Sequence, residues 1–462
     1  MPPASQQTIL FGRYDLLAKS DLFKRNYGTD FAGFSLQSRR PGILHAGVSP
    51  ALLSKVFDAL GFVRFDEEQQ TDSDDFALAR MTGTGRLNML CLTSAKFGLS
   101  LSGPEFLVIR PYVHRMYFLC NKWELIKSMR QSEKRMRTSA RIYLTGSGRE
   151  FTHLEFTPPT INLNNCQLEQ VLVEQSGVYL AKPACGRMGH QQQLVRIRPD
   201  CVQGDLLDFL RSSQFLEMNR SQVILQRYIE RPLLVDKRKF DLRVYLLVVN
   251  ARRYTVKGSK MSTGYFTFLH PGFLRLCTAP YNPDHPDLAV HLTNQSVQAK
   301  HTPDFGQLKE VTTWYPDELN EYLNRRHRLP RKDWARDELY PKVGAILGYV
   351  SAVFRPKLDD RTSSLSNSFR IMGVDFLVDE QLRVYLLEFN SHPSWSRQTS
   401  VLNQLKPSLW LEAACLTSET LLRFQRRLPV RDAELVTRHN FRLIYSSEEP
   451  LLARKNVAKM YV

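Results

Sequence analysis

The spacing of apolar and polar positions predicts strands and helices that do not alternate strictly along the chain. Apolar runs typical of strands lie at residues 86–92, 106–113, 178–183, 223–229 and 239–249. Residues 122–137 have a helical period with a basic, solvent-facing side, and 303–357 are predicted to be mostly helical. Because strands follow one another in pairs, we predict an α+β protein with mixed or antiparallel sheets.

The same pattern divides the chain into segments. We predict an N-terminal arm (1–45), an N-terminal α/β subdomain (46–155), a central subdomain (156–236), a C-terminal subdomain (237–428) and a basic tail (429–462). A helix and a strand over 49–65 open the N-terminal subdomain. A turn-rich stretch at 157–165 begins the central subdomain, and an amphipathic helix at 408–427 closes the C-terminal one.

The strand at 239–249 begins with a charged residue at every second position. Lys239, Asp241 and Arg243 alternate with apolar residues, so a two-residue period places all three charges on one face. A solvated outer face is one explanation of such a row. The apolar run that continues to Val249 favours a central strand covered on both faces, where the charges could hold phosphates and a metal.

Residues 371–395 are predicted to form a hairpin with polar residues in otherwise apolar strands. If its turn lies near 379–382, Val378 pairs with Arg383 and Asp375 lies across from Leu386. The two-residue period of a strand then places Asp375 on the same face as polar residues at the end of the second strand.

Those residues are Glu388 and Asn390, which would share a face with Asp375. Two carboxylates and an amide oxygen form a set of hard oxygen ligands suited to Mg²⁺. The alternative is a buried salt bridge between a carboxylate and Arg243 or Lys239.

Three weaker motifs surround these strands. Lys182 ends a strand and precedes a loop with two glycines, which can bind phosphate through backbone N–H groups or be an ordinary loop. Residues 225–232 are either a hinge that reads an adenine edge or an ordinary edge strand. Residues 290–301 contain Thr, Asn, Gln and Ser in succession, as in a helix N-cap, and His291 and His301 are interpreted as structural.

The amino-acid composition limits the kinds of binding partner and the cellular compartment that we expect for this chain. The chain has 462 residues, with 63 Lys and Arg against 46 Asp and Glu, and its net charge of +17 favours an acidic partner. Seven scattered cysteines without a C-x-x-C pair argue against a disulfide framework or structural zinc and favour a reducing compartment. We see no apolar run of the ~20 residues that span a bilayer, and no secretory signal.

The order of the motifs is more specific than any one of them. A Lys-Pro pair with a glycine loop, then QRYIERPLL, KFDLRVYLLV, HLTNQSV, IMGVDFLVD and LLEFNSHPS together resemble the tubulin tyrosine ligase-like family. The resemblance covers about Leu107 to Arg427 and implies an ATP-grasp architecture whose sheets enclose an ATP cleft. The unit at 49–65 is similar to the start of the family's N-terminal domain.

Carried over position by position, the resemblance implies three sets of site residues. The residues that would contact the nucleotide are Lys182, Gln226, Arg227, Tyr228, Ile229, Lys239, Asp241, Thr293 and Asn294. The residues that would ligate Mg²⁺ are Asp375, Glu388 and Asn390. The residues that would face the reacting carboxylate or the incoming amino acid are Arg243, Arg275 and Ser296.

The chemistry that the resemblance implies is ATP-dependent ligation. A protein carboxylate becomes an acyl phosphate, and the amine of free glutamate, glycine or tyrosine displaces the phosphate. The implied protein partners are acidic tubulin tails and microtubules, with no nucleic acid and no membrane, and the implied state is a monomer. The implied location is the cytoplasm and cytoskeleton, with cilium, flagellum or basal body as more specific sites.

Two positions depart from the family pattern. Residues 189–192 read Gly-His-Gln-Gln where the family often has a second glycine, which places a side chain where backbone normally approaches phosphate. Gln295 stands where many glutamate-adding members have Tyr, and this favours another donor. A nucleotide-binding pseudo-ligase that binds microtubules, and a ligase for a non-tubulin acidic protein, are therefore the alternatives.

Overall fold

The computed structural model describes much of the chain from residue 88 onward. The described residues are 88–91, 106–110, 113, 115–138, 151–163, 176–185, 192–197, 205–212, 215, 222–254, 261–326, 333–358 and 367–448. The predicted arm at 1–45, the unit at 49–65 and the glycine loop up to residue 191 lie outside these residues. No helix within the described ranges is long and apolar enough to cross a membrane.

Thirteen strands form two sheets in the described part of the chain. They are β1 (Asn88–Cys91), β2 (Phe106–Arg110), β3 (Thr160–Asn162), β4 (Gly177–Pro183), β5 (Gln193–Ile197), β6 (Val223–Arg227), β7 (Leu234–Val235), β8 (Arg238–Tyr254), β9 (Met261–Leu276), β10 (Thr313–Trp314), β11 (Asn367–Val378), β12 (Val384–Asn390) and β13 (Arg442–Ser446). The larger sheet has the order β1-β2-β11-β8-β9-β10, with β12 paired to β11, β13 to β9 and β7 to β8. The smaller is β3-β6-β4-β5.

The described helices surround these sheets. They are α1 (Tyr117–Cys120), α2 (Lys122–Thr138), α3 (Asp205–Arg211), α4 (Leu288–His291), α5 (Gln295–His301), α6 (Phe305–Leu308), α7 (Pro316–Arg325), α8 (Tyr340–Leu358) and α9 (Ser400–Gln425). A π-helical turn at Ala335–Leu339 leads into α8. The predicted helices at 122–137 and 408–427 are confirmed, as is the largely helical character of 303–357.

The long strand β8 is covered on both faces, as its apolar run predicted. Leu242 and Val244 pack in a core with residues of α8, whereas Leu247 and Val249 pack in a second core with residues of α9. Parallel pairing of β1, β2 and β11 and antiparallel pairing elsewhere make the larger sheet mixed, and the smaller sheet is antiparallel. The α+β prediction is confirmed.

Two local predictions are wrong. Thr160–Asn162, inside the stretch predicted to be turn-rich, is a strand that pairs with β6, because the sheet supplies backbone partners that outweigh local turn preference. In the hairpin, Val378 pairs with Val384 and Asp375 pairs with Glu388, not with Leu386. A turn one residue longer than assumed, with Leu382 in a left-handed conformation, and a bulge at Asp375/Phe376 cause the change.

The described part of the predicted basic tail, 429–448, is packed against the rest of the protein. Its strand β13 pairs with β9, and two completely buried carboxylates of α9 bind the backbone that precedes it. Glu412 Oε1 accepts from the N–H groups of His439, Asn440 and Phe441 at 2.7–2.8 Å. Glu419 accepts from Val436 and Thr437. These two glutamates therefore fix the chain segment that delivers β13.

Replacing Glu412 with Ala should destabilise the protein, because three buried N–H groups lose their acceptor. We expect a loss of roughly 2–3 kcal/mol, seen as a lower midpoint of thermal unfolding. Glu412→Gln, which keeps one carbonyl acceptor, should lose less. Glu321→Ala, on the exposed side of α7, is the matched control. Equal midpoints for Glu412→Ala and the control would contradict this role.

Candidate functional site

An open cleft lies between the two sheets, and the space free of protein atoms in it, open solvent included, is about 680 Å³. The smaller sheet contributes Lys182 from the end of β4 and Gln226 from the end of β6, and the larger sheet contributes residues of β8, β11 and β12. The full lining is Pro158, Leu180, Lys182, Gln192, Gln226, Arg227, Tyr228, Ile229, Lys239, Asp241, His291, Leu292, Thr293, Asn294, Asp375, Leu377, Leu387 and Glu388. Its mixture of apolar walls with a few polar groups is typical of a small-molecule site.

The nine residues predicted to contact a nucleotide all line this cleft, together with two of the three predicted metal ligands. The third, Asn390, contacts both of the others through its amide nitrogen, at 3.3 Å from Asp375 Oδ2 and 3.3 Å from Glu388 Oε1. Arg243, Arg275 and Ser296 are not among the lining residues. The structure thus brings the predicted nucleotide and metal sets to one place.

Four buried charges alternate across three neighbouring strands, and two of them, Asp241 and Asp375, line the cleft. We call Asp241, Arg243, Arg275 and Asp375 the strand charge cluster. Arg275 pairs with Asp241 and also lies 3.0 Å from Asp375 Oδ2, and Arg243 forms two hydrogen bonds with Asp375. Their guanidinium groups face carboxylates of the protein itself. The predicted contact of the two arginines with a reacting carboxylate therefore stays a prediction.

The polar face of the hairpin has the oxygen donors that suit Mg²⁺. Asp375 and Glu388 are opposite each other in the β11–β12 ladder, and Asn390 lies beside both. Rotation of the Asn390 amide would turn its oxygen toward the same point, since its two ends are assigned from hydrogen bonding. The alternative salt bridge to Arg243 is present, and Lys239 pairs with neither carboxylate. No cluster of three His, Cys, Asp or Glu ligands occurs among the described residues.

Lys122, the first residue of α2, was missed by the sequence reasoning. Its ammonium is buried and lies 3.1 Å from Glu388 Oε2. The basic period of 122–137 predicted a solvent-facing side, and only the packing of α2 beside the hairpin turns this one lysine inward. The carboxylate at Glu388 therefore has a cation of the protein as its partner.

Lys182 and Lys239 meet neutral acceptors instead. Lys182 Nζ donates to Gln226 Oε1 at 2.7 Å, and the Gln226 amide nitrogen donates to Thr160 Oγ1 at 3.2 Å. Lys239 Nζ donates to the Tyr228 hydroxyl at 2.9 Å. Within the described ranges neither ammonium group has a carboxylate partner at hydrogen-bonding distance, and this favours an anionic ligand in the cleft.

Burial sets the electrostatics of these lysines. Loss of solvation lowers the pKa of Lys182 to about 7, helped by the nearby ammonium of Lys122, and burial lowers the pKa of Lys239 to about 8. Burial also opposes ionisation of Asp375, but Arg243 and Arg275 outweigh it and hold its pKa well below the usual range. The cleft therefore combines a stable carboxylate with lysines that can gain or lose a proton near neutrality.

The predicted hinge is part of the wall, but two of its N–H groups are already used. Arg227 N donates to Pro159 O at 2.7 Å and Tyr228 N donates to Val178 O at 2.9 Å. A base lying here would therefore meet other groups of the hinge, such as its carbonyls.

On the opposite wall, Thr293 and Asn294 precede α5, with Asn294 at its N-cap as predicted. Ser296 lies in the first turn of that helix, two positions after Asn294 of the cleft lining. His291, interpreted as structural, lines the cleft and is hydrogen-bonded on both ring nitrogens.

Lys406 of α9 is a further buried lysine that sequence reasoning missed. Burial and the charge of Arg243 lower its pKa to about 7, and its ammonium donates to the carbonyl of Ser396. Lys406 precedes the helix predicted at 408–427, and α9 begins eight residues earlier than that prediction. The position of Lys406 beside Arg243 extends the positive region behind the hairpin.

A small antiparallel sheet facing a mixed sheet across a lysine-lined cleft defines an ATP-grasp-like α+β fold. The model of the tubulin-tyrosine ligase family matches residues 111–424. The chain belongs to the tubulin-tyrosine ligase family. Both predictions made from the order of the motifs are confirmed.

Three curated relatives illustrate the similarity. The Homo sapiens protein named inactive polyglycylase TTLL10 is 36% identical over 231 residues, 49% of this chain and 31% of that protein. The Rattus norvegicus protein polyglycylase TTLL10 is 29% identical over 346 residues, 71% of this chain and 47% of that protein. The Drosophila melanogaster tubulin glycylase 3B is 29% identical over 222 residues, which is 47% of this chain and 27% of that protein. Each match spans less than half the length of the relative.

Replacing Asp375 with Asn should destabilise the fold, because Arg243 loses its carboxylate partner while it stays buried. We expect a loss of about 3 kcal/mol, measured by urea unfolding. Asp317→Asn, on the exposed side of α7, is the matched control and should change stability little. A stability of Asp375→Asn equal to that of the control would show that Arg243 does not depend on this pair.

Proposed function

We propose that this chain is an ATP-dependent ligase that joins glycine to glutamate carboxylates in an acidic protein segment, with tubulin tails as the protein substrate. The observation that carries the proposal is the cleft, where Lys182 and Lys239 lie with the polar hairpin face of Asp375 and Glu388. Phosphoryl transfer depends mainly on positioning and charge neutralisation, and this set supports both.

In the proposed reaction, Lys182 and Lys239 bind the phosphates of ATP, and Thr293 and Asn294 contact the ribose and phosphates. Asp375, Glu388 and Asn390 hold Mg²⁺, which neutralises charge on the phosphates when it is bound. A carboxylate oxygen of the protein substrate attacks the γ-phosphorus and ADP leaves. The amine of glycine then attacks the acyl carbon, phosphate leaves, and the amine loses a proton as the C–N bond forms.

The choice of glycine rests on the relatives and on one residue. Two of the relatives are named as a polyglycylase and a tubulin glycylase. Gln295 at the start of α5 departs from the Tyr of many glutamate-adding members. The net charge of +17 supports an acidic protein partner such as a tubulin tail, and we place the protein in the cytoplasm at microtubules, including those of cilia.

A second candidate is a pseudo-ligase that binds nucleotide and microtubules without catalysis. Gln192, the last residue of the altered glycine loop, lines the cleft, and the glycine that the family often has one position earlier is replaced by Gln191 in the sequence. A human relative is named inactive. Nucleotide binding and ligation must therefore be tested separately.

The ligase proposal predicts that tubulin incubated with the protein, Mg-ATP and glycine gains glycine residues, detected by mass spectrometry of the tails. Parallel reactions with glutamate and tyrosine test the donor. Glu388→Gln should abolish addition because it removes a carboxylate of the proposed metal set. Glu380→Gln, exposed in the turn of the same hairpin, is the matched control and should retain activity. No addition to tubulin or other acidic proteins with any donor, although ATP binds, would favour the pseudo-ligase.

Nucleotide binding should take up a proton near neutral pH. Lys182 has a pKa of about 7 in the free protein, and nearby phosphates would raise it, so affinity for Mg-ATP should fall as the pH rises above 7. Calorimetry in buffers of different ionisation enthalpy measures the uptake, which should peak between pH 7 and 8. Lys182→Met should reduce both the uptake and the affinity. Binding without proton uptake in the unsubstituted protein would place the phosphates away from Lys182.

A further inference from the structure

A line of hydrogen bonds leads from the cleft into its wall at residues 278–291. Lys239 Nζ donates to the Tyr228 hydroxyl at 2.9 Å, and that hydroxyl lies 2.8 Å from His291 Nδ1. His291 Nε2 lies 2.7 Å from the carbonyl oxygen of His285. We call Lys239, Tyr228, His291 and the His285 carbonyl the Lys239 network. Its three side chains all line the cleft.

The chemistry of the groups fixes the direction of every bond. A carbonyl oxygen only accepts, so His291 Nε2 must carry a proton and donate to His285. Burial lowers the pKa of His291 below its usual value, so the ring is neutral near pH 7 and its Nδ1 is an acceptor. Tyr228 therefore donates its proton to Nδ1, and its oxygen accepts from Lys239.

This direction matters for Lys239. Its ammonium lies 4.3 Å from the centre of the Tyr228 ring and 5.8 Å from that of Tyr281. One N–H is committed to the Tyr228 hydroxyl, and the other N–H groups have no hydrogen-bond partner among the described residues. One hydrogen bond fixes the orientation of this ammonium, and its remaining N–H groups are available to a ligand. Such a group can bind an anion with little loss of conformational freedom.

The segment that supplies His285 is itself attached to both sheets. Arg196 of β5 donates to Asp284 Oδ1 at 3.0 Å and to Pro283 O at 3.1 Å. Tyr281 N donates to Lys237 O at 2.7 Å, beside β8. The carbonyl at the end of the Lys239 network is therefore positioned by contacts with both walls of the cleft.

We propose that His291 is a positioning residue that aims the Lys239 ammonium at the phosphates of a bound nucleotide, acting through the Tyr228 hydroxyl. The inference rests on the proposed function, because the ligand is the nucleotide of that site. His291 orients Tyr228 and has no part in the reaction itself. His291 was interpreted from the sequence as structural. The Lys239 network adds a role in nucleotide binding to that interpretation.

The test is calorimetric titration of the full chain with Mg-ATP at pH 7. Tyr228→Phe keeps the ring but removes the hydroxyl, and His291→Phe removes the acceptor; each should weaken binding about tenfold, as expected for loss of a hydrogen bond to a charged group. His291→Asn carries an amide oxygen near the position of Nδ1 and should recover affinity to within about threefold of the unsubstituted protein. Melting curves of each variant report folding.

Tyr281→Phe is the matched control. The Tyr281 hydroxyl lies beside that of Tyr228 and donates its own proton to Glu230 O at 2.8 Å. It is outside the Lys239 network, so the control should bind within about twofold of the unsubstituted protein. Equal weakening of Tyr281→Phe and Tyr228→Phe would assign the effect to packing of the hinge and overturn the proposal.

The pH dependence gives an independent readout. The groups facing Lys239 are Tyr228, Tyr281, Cys277, Asp241 and Lys182, and those facing His291 include Arg196 and His285. Loss of the Tyr228 oxygen removes an acceptor that stabilises the ammonium, so the alkaline loss of Mg-ATP affinity, near pH 8 from Lys239, should move to lower pH in Tyr228→Phe and stay in place in Tyr281→Phe.

The outcomes separate this inference from the proposed function. If the unsubstituted protein does not bind Mg-ATP, the proposed function fails and the role of His291 fails with it. If it binds and His291→Phe binds equally well, the positioning role is overturned while the function stands. If His291→Phe and His291→Asn weaken binding equally, the ring acts only by packing and the proposal is also overturned.

Discussion

The rest of the site depends on the buried charges that alternate across β8, β9 and β11. Asp241, Arg243, Arg275 and Asp375 lie on adjacent strands, and each charge has an opposite charge within contact distance. Burying four charges costs solvation energy that only close pairing can offset, so a shift of any strand by one residue would leave a charge unpaired. The cluster therefore fixes the register of these three strands. It places Asp375 where the hairpin brings Glu388 and Asn390 beside it.

Ion pairing within the strand charge cluster explains why the ammonium groups of Lys182 and Lys239 have no carboxylate of that cluster as a partner and are available to a ligand. Because Asp241 and Asp375 have arginine partners, they are not the partners of Lys182 and Lys239, which meet an amide oxygen and a phenol oxygen instead. A neutral acceptor orients an ammonium without cancelling its charge. The cleft consequently keeps positive charge in a buried place, where electrostatic attraction for an anion is strongest.

The two-residue period of the sequence predicted which side chains share a face of a strand. It did not predict the contacts that depend on how separate elements pack together. The alternation in β8 correctly placed Lys239, Asp241 and Arg243 on one face, because a strand has a fixed two-residue period. The hairpin register was wrong, yet its conclusion about the shared face held, since the longer turn shifts the pairing by one residue and the bulge at Asp375 shifts it once more. Neither shift has a local signal in the sequence. Lys122 was missed for the same reason, because its inward position depends on how α2 meets β12.

In the proposed function, nucleotide binding and ligation of an amino acid depend on different parts of this structure. Lys182 and Lys239 are oriented by Gln226 and Tyr228, which belong to β6 and the segment that follows it, whereas the oxygen donors of the hairpin are oriented by the strand charge cluster. A change in one set leaves the partners of the other intact. Residues 189–192 lie between β4 and the start of β5 in the sequence, so in the proposed function they bear on phosphate binding and not on the hairpin. Under this proposal, a change in the glycine loop weakens nucleotide binding while the oxygen donors of the hairpin keep their partners.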